Sequence, residues 1–367
     1  MKHRPYTAML LVPTGVGAAI GGYAGDALPV ARAIAHVVDR LITHPNVLNG
    51  AHLYWALDNA FYVEGYGLDQ LAAGNWGIRP VHQNRIGIVF DKAIEPELRL
   101  RHLQAADATR ATLGLNLTDY VVTDEPLGVE LQTAASGTTW GTLRHPDSVL
   151  RAVDRLITHT QAEAIAIVAR FPDDDGSEAL QDYRQGRGVD PLAGAEAVIS
   201  HLVVKTFQIP CAHAPALLPL PLDPGLSPRS AAEEIGYTFL PCVLVGLSRA
   251  PQFVTDRAIA SNTTIWADDV DAVIVPASAC GGSAVLSLGA SSTQVIAVAE
   301  NTTRMNVTPD QVGIDAVWVE SYLEAIGVLV AHQAGISAAA LRPNLASLQP
   351  LAESTHREHL QDIGCRC

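Results

Sequence analysis

Residues 6–26 read YTAMLLVPTGVGAAIGGYAGD, an apolar stretch that runs directly into a loop containing five glycines. The apolar part, Tyr6 to Val12, predicts a first β-strand, and Pro13 is expected to end it. After the loop, Asp26 can cap a helix and Pro29 is tolerated in its first turn. A strand, a glycine-rich loop and a helix in this order are typical of the opening unit of an α/β fold.

The same alternation continues along the chain, because short runs rich in Val, Ile and Ala are separated by amphipathic segments. It predicts a mainly parallel sheet or sheets with helices on both faces, built as one large domain or as two similar lobes. The predicted strands are Tyr6–Val12, Ile86–Asp91, Tyr120–Thr123, Ala164–Arg170, Leu240–Leu247, Ala272–Pro276 and Val295–Ala299.

A polar stretch between residues 173 and 190 is the clearest break in this alternation. It divides the chain into an N-terminal α/β lobe at residues 1–172, a C-terminal α/β lobe at residues 190–350, and a tail at residues 351–367. One seven-residue string, VDRLITH, occurs at Val38–His44 and again at Val153–His159, and both copies are predicted to be helical. The repeat indicates either an ancient duplication or a chance match between two amphipathic helices.

The composition limits the classes of partner. Hydrophobic residues make up 48% of the 367 residues and charged residues 17%, and the formal net charge is −14. This charge opposes binding to nucleic acid and to anionic membranes, so we expect a small-molecule partner. The apolar run after the basic N-terminus is too short for a signal peptide and the five cysteines are scattered, so the expected location is the cytoplasm. A homo-oligomer remains open.

Ligands of open α/β sheets bind beyond the carboxyl ends of the strands, so the residues that follow each predicted strand are the candidate site. Glycine-rich loops there can present backbone N–H groups to a carboxylate or phosphate, although the same loops can be plain structural turns. The predicted substrate-binding residues are Thr14, Gly15, Gly17, Gly21, Gly22, Ser136, Gly137, Thr138, Gly281, Gly282, Ser283, Asn301 and Thr302. Together they predict an anionic small-molecule substrate.

No cofactor is identified. Ile20 stands where a dinucleotide-binding loop has its third glycine, and no Gly-Lys-Ser/Thr ending marks a P-loop, so we expect no nicotinamide or flavin to copurify. Cys211 and His213 lie close together, but no further ligand has diagnostic spacing, so no metal site is predicted.

Cys280 is the leading candidate for a reactive group, because a thiol at a glycine-flanked turn before a helix would have a lowered pKa and open access. An inert cysteine in such a loop is the alternative. Asp124 and Glu125 after a predicted strand, and His213 after an apolar segment, are the candidate acids and bases. Each of these could equally be a structural cap, an ion pair or a hydrogen-bonded core residue.

Three further strings carry a resemblance: VPTGVGAAIGGYAGDA from Val12, PCAHAPA from Pro210 and ENTT from Glu300. They resemble an uncharacterised family, domain of unknown function 3326, over most of the chain. The resemblance implies one continuous enzyme-like unit and transfers no catalytic residue. The leading hypothesis is a cytoplasmic small-molecule enzyme of lyase, isomerase or hydrolase type. The alternatives are a nucleotide-dependent oxidoreductase or transferase, and a non-catalytic small-molecule binding protein.

Overall fold

A computed structural model describes residues 4–23, 25–49, 53, 55–173, 176–234, 239–348 and 350. The strands within these residues are Thr7–Leu10 (β1), Arg40–Thr43 (β2), Ala60–Tyr62 (β3), Gly77–Arg79 (β4), Ile86–Phe90 (β5), Leu117–Val122 (β6), Val129–Thr133 (β7), Thr139–Leu143 (β8), Ala164–Arg170 (β9), Cys211–Ala216 (β10), Gln252–Val254 (β11), Ala272–Pro276 (β12), Gln294–Val298 (β13) and Ala316–Val319 (β14). The helices are Leu28–Ala35 (α1), Pro45–Leu48 (α2), Gly65–Ala72 (α3), Pro96–Leu113 (α4), Pro146–Thr160 (α5), Glu178–Arg184 (α6), Ala193–Phe207 (α7), Ala231–Glu234 (α8), Leu240–Ser248 (α9), Ser283–Gly289 (α10) and Tyr322–Gln333 (α11). None of these helices is long and apolar enough to cross a membrane.

Two parallel sheets form the framework. The larger has six strands in the order β14-β13-β12-β1-β2-β3, and the smaller has four in the order β10-β9-β5-β6. Their central strands β1, β5 and β12 are buried at every residue, as expected where helices cover both faces. The prediction of an α/β fold with mainly parallel sheets is therefore confirmed.

Each sheet takes strands from both sides of the polar stretch at residues 173–190. In the larger sheet β1 pairs with β12, Ala8 opposite Ala272, and in the smaller sheet β9 pairs with β10, Ile165 opposite Cys211. The smaller sheet is thus inserted in sequence between the third and fourth strands of the larger one. The proposed lobes at residues 1–172 and 190–350 stay a prediction, and the tail at residues 351–367 lies outside the described residues.

The run Leu240–Leu247 is a helix, α9, and the prediction of a strand there is wrong. A short run that is apolar on all sides fits a buried helix as well as a buried strand, and its periodicity cannot distinguish them. The helix packs among residues of both sheets: Leu240 and Leu247 are fully buried, and Gly246 lies against the ring of Tyr62 at the end of β3. Pro241 lies in its first turn, where a missing N–H costs nothing.

The two copies of VDRLITH adopt different structures. Residues 153–159 lie inside α5, with Val153 and Leu156 buried on one face. In the first copy, α1 ends at Ala35 and residues 40–43 form β2, which lies between β1 and β3. The prediction of helix for the first copy is wrong. Adjacent side chains of a strand point to opposite faces of the sheet, and both Leu41 and Ile42 are buried because both faces are covered at this central position. The repeat is therefore no duplicated structural unit.

Close approach of backbones sets the position of α7. A Cβ added to Gly194 would overlap backbone atoms of Thr139 and Trp140 in β8. We expect Gly194→Ala to lower the free energy of unfolding by about 1–3 kcal/mol, because backbone cannot move aside as a flexible side chain can. The matched control is Gly327→Ala in α11, where an added Cβ meets nothing within 4 Å and helix propensity favours alanine.

Urea unfolding followed by circular dichroism measures both variants. The packing account predicts that Gly194→Ala is destabilising, whereas Gly327→Ala is neutral or stabilising by up to about 1 kcal/mol. Equal stability of the two variants would contradict it.

Candidate binding cleft

A cleft of about 820 Å³ lies where strands of both sheets end. Residues that follow β1, β2, β3, β9, β10 and β12 all contribute to its walls, which matches the rule that ligand sites of parallel sheets lie beyond the carboxyl ends of strands. Its lining is mostly apolar, and the apolar contributors include Leu11, Val12, Leu68, Leu98, Leu131, Leu180, Leu192, Leu217, Phe239, Leu240 and Val285.

One face of helix α7 forms part of the cleft lining. The lining residues of this helix are Ala193, Glu196, Ala197, Ser200 and His201. Their spacings of three and four residues place them in a row along one side of the helix. The polar groups of the cleft are arranged around this row.

At the C-terminal end of the row, His201 pairs with Glu64 through Nδ1 and Oε1. Glu64 is buried and also caps α3, accepting from the N–H of Tyr66 at 2.8 Å. Burial alone would lower the pKa of His201, but the hydrogen bond and charge of Glu64 and the charge of Asp69 outweigh burial and raise it. Asp69 has a raised pKa because it is partly buried, although it accepts from the N–H of Ala284.

In the middle of the row, His213 lies between two side chains of α7. Its Nδ1 is 3.0 Å from the Ser200 hydroxyl and its Nε2 is 3.6 Å from a carboxylate oxygen of Glu196. Glu196 and Ser200 are four residues apart, so one strand residue can contact both. The sequence-predicted His213 therefore does lie in the cleft.

Beyond the N-terminal end of the row, Asp190 and Glu233 contribute two further carboxylates. Asp190 accepts from the N–H of Leu192 at 2.8 Å, and Glu233 accepts from the hydroxyl of Tyr183. Burial, followed by the charges of Glu233 and Glu196, raises the pKa of Asp190 well above its ordinary value. Asp190 is thereby shifted toward its neutral, protonated form.

The charged residues of the lining are strongly unbalanced. Its carboxylates are Glu64, Asp69, Asp173, Asp190, Glu196, Glu233 and Glu234. Among the described residues, the lining contains one arginine, Arg101, and no lysine. Two of these carboxylates are paired with arginines outside the lining, Asp173 with Arg170 and Glu234 with Arg184 at 2.6 Å, and Glu64 is paired with His201. Acidic side chains still outnumber basic ones in the lining, which favours a negative potential there.

Cys280 does not have the properties predicted for it. The side chain is fully buried in the core beneath β12, with its sulfur near the carbonyl oxygens of Pro276 and Ala277. Burial raises the pKa of the thiol to about 11, so the expectation of a lowered pKa and open access is wrong. Gly282 and Ser283, which follow it, line the cleft. The N–H of the next residue, Ala284, already donates a hydrogen bond to Asp69.

Several N–H groups of the first glycine-rich loop donate hydrogen bonds to other parts of the protein. Ile20 and Gly21 donate to the side chains of Asn301 and Asp26, and Ala19 donates to the carbonyl of Thr302. Asn301 is fully buried and returns a hydrogen bond to the carbonyl of Ile20. These contacts give Asn301 and Thr302 a structural role that holds the loop.

Other predicted residues of the loop have close neighbours within the chain. Positions Gly15 and Gly17 have positive φ and face Thr139 and Gly188, while Gly21 packs on Val12 and Gly22 on the carbonyl of Ala18. Of the loop residues predicted to bind substrate, Thr14 lines the cleft.

The remaining candidates lie elsewhere. Ser136, Gly137 and Thr138 form the turn between β7 and β8, outside the cleft lining. Asp124 is held by Arg151 and Ser148, and the hydrogen bond from Arg151 keeps the pKa of its carboxyl well below the usual range. Glu125 is exposed beside His145 at 3.3 Å. These contacts are those of an ion-pair cluster at the surface.

Several of the loops that contain predicted residues contact one another. The N–H of Thr139 donates to the carbonyl of Gly15, that of Arg304 to Val16, and the hydroxyls of Ser278 and Thr303 are 2.9 Å apart. The sequence analysis missed several polar side chains that line the cleft, namely Glu64, Asp69, Asp190, Glu196, Ser200 and His201. Glu64 follows β3, which the sequence analysis did not identify, while the row on α7 has a helical spacing that could have been found.

Comparison with known proteins places the chain in a family. Residues 7–342 match the family described as protein of unknown function, DUF3326, and the chain belongs to it. An uncharacterized lipoprotein of Synechococcus sp. is 58% identical over 358 residues, which cover 97% of this chain and 99% of that protein. The resemblance drawn from the sequence is confirmed.

The name of this relative corrects two predictions, and the family description corrects a third. A protein named a lipoprotein conflicts with the predicted cytoplasmic location, and with the cytoplasmic small-molecule enzyme that was the leading hypothesis. The family itself carries no assigned reaction, so the terms lyase, isomerase and hydrolase have no support from it.

Among the described residues, no cluster of His, Cys, Asp and Glu is arranged to hold a metal ion.

His44 gives a test of how the cleft wall is built. Its Nε2 accepts from the N–H of Val12 at 3.0 Å, and burial lowers the pKa of the ring to about 4. The unfolded chain takes up this proton near pH 6.5 and the native chain only near pH 4, so stability falls as pH drops through that interval. We expect the loss to be about 1–3 kcal/mol.

The measurement is denaturant unfolding at pH 7.5 and pH 4.5 for wild type, His44→Gln and His159→Gln. His159 is the equivalent histidine of the second VDRLITH copy, exposed at the end of α5. The pH dependence should shrink in His44→Gln and persist in His159→Gln. An unchanged pH dependence in both variants would contradict the assignment.

Proposed function

We propose that the chain binds a small amphipathic cation, an aliphatic amine, in the cleft between its two sheets. The observation that carries this proposal is an apolar lining in which acidic side chains outnumber basic ones, even after Asp173 and Glu234 are paired with arginines and Glu64 with His201. An aliphatic chain gains free energy from contact with leucine side chains, at roughly 25 cal/mol per Å² of apolar surface buried. An ammonium group gains from the negative potential, whereas a carboxylate or phosphate is repelled by it.

The end of the cleft near His201 is the proposed position of the ammonium group. Asp69 there is partly buried, and burial raises its pKa although the charge of His201 and the N–H of Ala284 favour its ionised form. A bound ammonium would add a second positive charge beside Asp69 and pull its pKa downward. Glu64 is committed to His201 and to the start of α3, so Asp69 is the carboxylate with most to gain.

The relative named a lipoprotein is consistent with such a ligand, because amphipathic cations concentrate at membrane surfaces that carry anionic lipid. The competing hypothesis is the anionic substrate predicted from the glycine-rich loops.

Calorimetric titration with decylamine, decanol and decanoate separates the two ligand classes, because these molecules share one alkyl length and differ in charge. Decylamine should bind at least about tenfold more tightly than decanol, which corresponds to 1.4 kcal/mol, and decanoate should bind least. Asp69→Asn should remove most of the advantage of decylamine over decanol.

Asp182→Asn is the matched control, because Asp182 is an aspartate paired with Arg187 and outside the cleft lining. Decanoate binding more tightly than decylamine would overturn the proposal in favour of the anionic class. Equal effects of Asp69→Asn and Asp182→Asn would remove Asp69 from the site.

A further inference from the structure

We infer that the side-chain amide of Asn49 binds an uncharged carbonyl oxygen of the ligand inside the cleft. The inference deepens the proposed function by adding a second recognised group to the ligand, and it rests on that proposal only for the position of the binding site. Asn49 lines the cleft and is 8% exposed. Among the described residues, none accepts a hydrogen bond from its amide nitrogen, Nδ2.

Three elements fix the position of this amide. Asn49 directly follows helix α2, and its backbone N–H donates to the carbonyl of Pro45 at 2.7 Å. The hydroxyl of Tyr62, at the end of β3, donates to Oδ1 of Asn49 at 2.8 Å. The ring of Tyr62 in turn lies against Gly246 of α9. The carboxamide is therefore held at its oxygen.

The direction of the hydrogen bond from Tyr62 follows from burial. Burial raises the pKa of Tyr62 well above its ordinary value, so the hydroxyl keeps its proton. That proton needs an acceptor, and a carboxamide has one at its oxygen and none at its nitrogen. Oδ1 therefore faces Tyr62, and the two N–H donors of Nδ2 remain for a ligand.

Other polar side chains of the lining already have partners within the chain. Asn46 lines the cleft too, but its amide nitrogen donates to the carbonyl of Gly21. Ser200 and His213 are 3.0 Å apart and partner each other. A largely buried donor is unfavourable unless water or a ligand supplies an acceptor. Asn49 thus marks a point where the cleft offers a fixed donor to its ligand.

The chemistry of this donor selects a carbonyl group. An oxygen acceptor is required, and the excess of acidic side chains in the lining disfavours a carboxylate or phosphate oxygen. A hydroxyl would bring a proton of its own that also needs an acceptor, whereas a ketone, ester or amide oxygen has no such requirement. The proposed aliphatic amine would then carry a carbonyl group along its chain.

Octan-2-one and 2-methyloct-1-ene test this inference, because they have nearly the same shape and differ in the carbonyl oxygen. Their affinities for the full chain are measured at pH 8 by displacement of N-phenyl-1-naphthylamine, a neutral fluorescent probe. Asn49→Asp keeps an acceptor for Tyr62 and removes the N–H donors. It should lower the affinity ratio of ketone to alkene at least about fivefold, the effect of one lost hydrogen bond between neutral groups.

Two further variants complete the experiment. Asn262→Asp makes the same change at an exposed position outside the lining and should leave the ratio unchanged. Tyr62→Phe retains the amide of Asn49 and removes the hydroxyl that positions it, so it should lower the ratio while leaving the affinity for the alkene unchanged.

A ratio that is the same in wild type, Asn49→Asp and Tyr62→Phe would overturn the inference, as would wild type that binds neither uncharged probe. The preference for decylamine over decanol tests the proposed function separately, because Asn49 acts on an uncharged group. A lowered ratio in Asn49→Asp without that preference would leave the carbonyl site standing and overturn the amine.

Discussion

The position of helix α9 between the two sheets is the constraint on which the cleft depends. Leu240, Val243, Leu244 and Leu247 are all fully buried, so the helix presents apolar surface in every direction that the sheets occupy. Gly246 allows the ring of Tyr62 to approach, because an added Cβ would lie 2.6 Å from it. With α9 in place, strand ends from both sheets face one another and the space between them becomes the cleft.

Polar contacts fix this arrangement at its margins. Buried Asn84 donates to the carbonyls of Leu247 and Ala250 at 2.8 and 2.7 Å, which satisfies the C-terminal end of α9. On the opposite side, the ring of Tyr23 stacks on Tyr183 at 4.5 Å between centroids. The glycine-rich loop thus connects the sheets. Its N–H groups donate hydrogen bonds to carbonyls and side chains of the protein itself.

Sequence reasoning found what local pattern determines. Strands β9 and β12 were predicted with their exact bounds, because buried parallel strands are continuous apolar runs. It failed where tertiary context decides: α9 has a pattern that fits two structures, and VDRLITH is a strand at residues 40–43 but helix at residues 153–159. Glu64 and Asp69 were missed because they belong to the short helix α3 and its cap, and the start of α3 depends on Glu64 and its distant partner His201.

The central claim is that the negative potential of the cleft selects a cation over an anion. A crystal structure of the chain with decylamine tests this most directly. The account predicts the alkyl chain between the two sheets, with the ammonium nitrogen within hydrogen-bonding distance, about 3 Å, of an Asp69 or Glu64 oxygen. Decylamine bound outside the cleft, or lying within it with the nitrogen turned away from both carboxylates, would contradict the account.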